Sequence, residues 1–179
     1  MLTRVDDLMD QHRGIDLKIH TTNGEVFNID EKAQLNYIGE DLPTFAFEVA
    51  YFNKHHVDRI GWLYDDQKLT DFYFLVTKIR VRSGVDIQSG ISGVKVTMVS
   101  REKLKQFLAS KGITKEFALS KARELRIKGV PGPDYVDELK KSEGCFYLST
   151  QLEERPINIV LNLNFLISNG VARVLINED

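Results

Sequence analysis

"DLKIHTTNGEVFNIDEK", residues 16–32, holds two short runs of alternating apolar and polar residues on either side of a Thr-Asn-Gly turn. The register in which those runs pair decides what the rest of the chain is built around. A three-residue loop of Thr22, Asn23 and Gly24 sets Thr21 opposite Glu25. Ile15, Leu17 and Ile19 then share one face with Phe27 and Ile29, a coherent apolar surface. The other face collects Asp16, Lys18, Asn28, Asp30 and Lys32, with Asp16 directly across from Asp30. A two-residue Asn-Gly turn would move every pair by one and mix Leu17 with Asp30. Gly24 suits the left-handed position of the longer loop, and Val26 is the one residue this register misplaces.

Facing residues on paired strands stand about 4.5 to 5.5 Å apart at their Cβ atoms, so two carboxylates there repel unless something positive lies between them. A divalent cation is the natural counter-charge. Magnesium takes oxygen ligands, commonly one or two carboxylates completed by waters and substrate phosphate oxygens. Lys32 lies two residues beyond Asp30 and points to the same face, where an ammonium can orient a water or stabilise charge developing on a phosphoryl group. Glu48 is the polar residue of "TFAFEVAYF" (44–52), an otherwise apolar strand. A carboxylate buried there is costly unless paired, protonated or bound to metal. A third ligand to the same ion is one solution, and a core salt bridge is another.

Taken together these residues resemble the PD-(D/E)XK nuclease superfamily, with Asp16 as its lone acid and Asp30-x-Lys32 as its bipartite motif. An acidic first helix, a hairpin, an apolar third strand and a later helix follow the same order, over the first third to half of the chain. The resemblance implies a restriction-endonuclease-like core, a mixed sheet flanked by helices. It also implies Mg²⁺ (or Mn²⁺) as cofactor and nucleic acid, DNA before RNA, as substrate. Asp16, Asp30, Lys32 and Glu48 would then be catalytic, with Asp16, Asp30 and Glu48 on the metal. "GI" precedes Asp16 where the family commonly has Pro, and the first helix has no Glu, which leaves Asp6, Asp7 or Asp10 as its acid. Gln34 and Tyr37 are similar to the Gln and Tyr that follow the Lys in exonuclease-like branches, at a looser spacing. Asp/Glu-x-Lys also occurs at Asp16–Lys18, Asp66–Lys68 and Glu138–Lys140. Only the Asp30 instance has an earlier acid across a hairpin and an apolar strand after it.

Composition narrows the alternatives. The 179 residues, 42% hydrophobic and 28% charged, fit one compact soluble domain, 1–179. A single cysteine, Cys145, excludes an intramolecular disulfide and a cysteine-rich zinc site, and the four histidines show no HExxH spacing. No apolar run reaches a membrane span and no signal peptide is evident, so a cytoplasmic protein without a membrane partner is expected. The net charge of -2 hides a division: residues 1–66 carry 6 Lys/Arg against 13 Asp/Glu, and residues 67–128 carry 14 against 5. Acids gathered for metal and bases for phosphates is one reading of that division, and a solvated helical surface is the other. Lys78, Arg80 and Arg82 alternate along a strand and, with Lys121 and Arg123, are the expected nucleic-acid contacts. A homodimer is an open option.

Local patterns predict a first helix in "LTRVDDLMDQH" capped by Thr3, and a hairpin joining "RIGWLY" to "LTDFYFLVTKIRV". Helices are expected after Ser100 and after Thr114, the second burying Ala118, Ala122 and Leu125. Strands are expected at "CFYLST" and at "INIVLNLNFLI", the latter passing into a helix. Strands first and helices later give an α/β or α+β class. A metal-dependent nuclease is the expected function. The alternative is a catalytically inactive nuclease-like fold serving as a nucleic-acid-binding or protein-interaction module.

Overall fold

The computed structural model describes residues 1–82 and 87–178. It is a mixed α/β structure with two sheets. Its contacts fall into two compact units. The first comprises Met1–Pro43, Gln67–Glu102 and Leu166–Asp179, and the second Thr44–Asp66 and Lys103–Phe165.

The first unit is a six-stranded sheet. In chain order it has β1 (Leu2–Arg4), the short helix α1 (Leu8–His12), β2 (Leu17–His20) and β3 (Val26–Ala33). The second unit then contributes β4 (Thr44–Phe52) and β5 (Asp58–Ile60). The chain returns to the first sheet as β6 (Phe72–Val81) and β7 (Ile91–Ser100). Helices α2 (Arg101–Ser110) and α3 (Lys115–Lys128) follow, then β8 (Gly132–Asp134), β9 (Gly144–Leu148), β10 (Ile157–Asn162), α4 (Leu163–Ser168) and β11 (Ala172–Asn177). Strand order in the first sheet is β1-β2-β3-β6-β7-β11, and in the second β5-β4-β10-β9-β8. Every pairing is antiparallel except β3 with β6.

The hairpin adopts the three-residue loop. Leu17 faces Ile29, Lys18 faces Asn28 and Ile19 faces Phe27. The Thr21 N–H donates to the Glu25 carbonyl at 2.9 Å, and Gly24 sits at φ 88°. Ile15, Leu17 and Ile29 are buried, and the misplaced Val26 is exposed to solvent.

Two expectations give way. Thr3 does not cap a helix: it lies in β1, opposite Lys18. The helix begins later, because Asp7 accepts the Asp10 N–H at 2.9 Å and supplies the cap. "RIGWLY" and "LTDFYFLVTKIRV" form no hairpin, since β5 pairs with β4 and β6 pairs with β3 and β7. Asn53 decides this, its side-chain oxygen accepting from the His55 and Val57 N–H groups at 3.0 Å in a tight turn that returns β5 onto β4. β4 lies between β5 and β10 in its sheet, and the neighbour of β3 is β6.

In the second unit α3 packs against β4. Ala118, Ala122 and Leu125 are its buried residues, the Thr114 side chain accepts the Phe117 N–H at 3.2 Å, and Gly129 closes the helix in the left-handed region. β10 runs directly into α4. β11 has no counterpart among the expected strands. In the first sheet Thr77 and Thr97 are fully buried with hydroxyls that meet no hydrogen-bond partner. Thr97→Val keeps the shape and removes an unsatisfied donor, so urea unfolding should show a gain of about 1 kcal/mol. A loss of that size would mean the hydroxyl is bonded.

Candidate active site

The register places Asp16 just before β2 and Asp30 within β3, on the face opposite Ile29. The Asp16 N–H donates to the Ile29 carbonyl at 2.8 Å, and its carboxylate accepts the Glu31 N–H at 2.8 Å. Asp16 is therefore aimed by the strand it faces. Asp30 is 2% exposed, and its Oδ1 accepts from the Lys32 ammonium at 2.5 Å. Burial holds the Asp30 carboxyl above the ordinary aspartate range; Lys32 pulls it down, and the neighbouring Asp16 carboxylate pushes it up again. Two acids and one ammonium thus share a face, as the alternation requires.

The parallel neighbour completes the surroundings. Tyr73 of β6 lies beside Asp30 in the ladder and is fully buried, its phenol pushed up by burial, with Arg101 hydrogen-bonded to it. Gly14 turns the chain from α1 towards β2 at φ 75°. A Cβ built on it would meet Thr70 Oγ1 at 2.4 Å and Asp30 Oδ2 at 3.3 Å. Reasoning from sequence missed Tyr73, Thr70 and Arg101 because Tyr73 and Thr70 arrive with β6 some forty residues on and Arg101 with the start of α2 about seventy residues on. The only available signal was Gly14, at the point where helix becomes strand.

Other expected residues lie elsewhere. Glu48 is on β4 of the second sheet, opposite Asn158. Among the described residues no three His, Cys, Asp or Glu side chains form a group able to hold a metal ion. Asp10 is ion-paired with Lys18 at 2.8 Å. Gln34 precedes a 3-10 turn (Leu35–Tyr37) in which Tyr37 is exposed.

The expected row of cations is interrupted. A bulge shifts the β6 register between Thr77 and Arg80, and Lys78 takes φ 48°, so Lys78, Arg80 and Arg82 do not follow simple alternation. Lys121 is ion-paired with Glu124 at 3.1 Å and with Asp134 at 2.6 Å, while Arg123 is exposed. The acids of α3 and β8 thus neutralise part of the helix's positive charge.

Asp16 and Asp30 fit a two-carboxylate Mg²⁺ site of the kind completed by waters and phosphate oxygens. The supporting observation is a buried carboxylate held against a second one, a placement that a cation relieves. No helix among the described residues is long and apolar enough to cross a membrane. Compared with protein-family models, curated proteins and solved structures, the chain matches none.

Proposed function

We propose that the chain is a metal-dependent nuclease with a restriction-endonuclease-like core, hydrolysing phosphodiester bonds in nucleic acid, DNA first, in the cytoplasm. The observation that carries this reading is the convergence of Asp16, Asp30 and Lys32 on one face of a hairpin, with Asp30 buried at an energetic cost. A carboxylate placed so unfavourably, against another, is characteristic of a site where function outweighs stability. Asp16 and Asp30 would hold Mg²⁺, which supplies Lewis acidity to a phosphate oxygen. The Lys32 ammonium, 30% exposed at its side chain, orients a water in line with phosphorus and stabilises the charge that grows on the phosphoryl oxygens. Tyr73 stays protonated at neutral pH, so its phenol adds no negative charge beside Asp30.

Incubating the full chain with plasmid and with single-stranded DNA, in Mg²⁺ and in EDTA, tests the proposal. Cleavage should require the metal and disappear in Asp16→Ala and Lys32→Ala with the circular dichroism spectrum unchanged. Activity that survives both substitutions removes this centre from the account. The grouping of only two acids favours one second reading, an inactive nuclease-like module. Calorimetry showing DNA binding without Mg²⁺ uptake would select it.

A further inference from the structure

We propose that Thr70 is a positioning residue of this centre, a role that rests on the nuclease reading above. Residues 68–71 run as a strap whose hydrogen bonds reach the turn before Asp16 and the strand β3 that carries Asp30. On the α1 side the Lys68 ammonium donates to the His12 carbonyl at 2.6 Å, the Leu69 N–H to the Arg13 carbonyl at 2.8 Å, and the Thr70 hydroxyl to the Gly14 carbonyl at 2.9 Å. On the β3 side the Asn28 amide donates to the Leu69 carbonyl at 3.0 Å. The Asp71 N–H donates to the Asn28 carbonyl at 2.9 Å, and the Asp71 carboxylate accepts the Asn28 N–H at 2.8 Å.

Of these contacts, Thr70 alone combines burial, a side-chain bond and proximity to the reacting group. It is 6% exposed, its hydroxyl pins the corner two residues before Asp16, and that corner is so close to Asp30 that a Cβ on Gly14 would touch both. A corner free to shift would let Asp16 swing relative to β3, breaking its bond to the Glu31 N–H and changing the separation of the two carboxylates. Outer groups that fix metal-binding carboxylates commonly matter by one to two orders of magnitude without touching the ion.

Thr70→Val removes the hydroxyl and keeps the volume, while Thr70→Ser keeps the hydroxyl. Two measurements on the full chain read the effect: the Mg²⁺ concentration for half-maximal cleavage, and hydrogen exchange at the Glu31 amide against amides of the β6–β7 core. Thr70→Val should raise the Mg²⁺ requirement about tenfold and speed Glu31 exchange while the core amides keep their rates. Thr70→Ser should stay near wild type in both. Unchanged Mg²⁺ dependence and unchanged Glu31 exchange in Thr70→Val overturn the proposal, as does a serine variant as impaired as the valine one. If the wild-type chain cleaves nothing, the nuclease reading fails, and the Glu31 comparison still decides whether Thr70 positions Asp16.

Discussion

Asp30→Asn loses cleavage by about 10³-fold and makes the protein more stable at neutral pH, by about 1 kcal/mol. The two effects share one cause. Asp30 is almost fully buried, and burial raises its pKa despite the Lys32 ammonium 2.5 Å away. The amide is nearly isosteric and carries no charge to desolvate, and the partly exposed ammonium of Lys32 can return to water. The pH dependence has a definite sign. A folded carboxyl with a raised pKa binds its proton more tightly than the unfolded one. Its contribution is therefore fully present below the ordinary value of 3.8 and is lost as pH rises through the folded value. The stability difference between Asp30→Asn and wild type should grow across that window and level off above it. Lys32→Met should move the opposite way, since it leaves a buried carboxylate without its cation. Thermal melts from acid to neutral pH measure the stability changes, and the Mg²⁺-dependent DNA assay measures the loss of cleavage. An ordinary structural salt bridge predicts that Asp30→Asn and Lys32→Met are both destabilising, and that pattern would argue against a functional role.

The second large effect belongs to Gly14. Gly14→Ala should destabilise by about 3 kcal/mol, combining a left-handed backbone with overpacking, and lower the melting temperature by about 10 °C. The added methyl carbon would lie 2.4 Å from Thr70 Oγ1, and that hydroxyl is bonded to the Gly14 carbonyl within a buried corner. Relief by rotation is therefore blocked. Thr70→Ala on the same background removes the clash but not the backbone strain, so the double variant should recover part of the loss. A melting temperature within 2 °C of wild type for Gly14→Ala alone would show that the corner can relax.

The hairpin was legible because its information is local. Period-two alternation and a three-residue loop with Gly24 in its left-handed position fix a register in which Leu17 meets Ile29, and that register carries Asp16, Asp30 and Lys32 to one face. The N-cap of α3 was legible for the same reason, since Thr114 acts within a turn of the residues it caps. β6 was seen as a strand but assigned the wrong partner. Pairing across forty residues depends on which edge remains open after β4 has left for another sheet, and no local pattern records that.

For the centre itself, sequence determined which groups face one another across the hairpin, because side-chain direction in a strand follows from parity. Tertiary structure decided how those groups are surrounded. It set β6, with Tyr73, beside Asp30 and closed the Thr70 strap behind Gly14, while Glu48 went to the second sheet. Burial and the resulting shift in proton affinity are properties of that enclosure. They arise from residues distant in the chain, so the same Asp-Glu-Lys tripeptide on an open strand would carry neither.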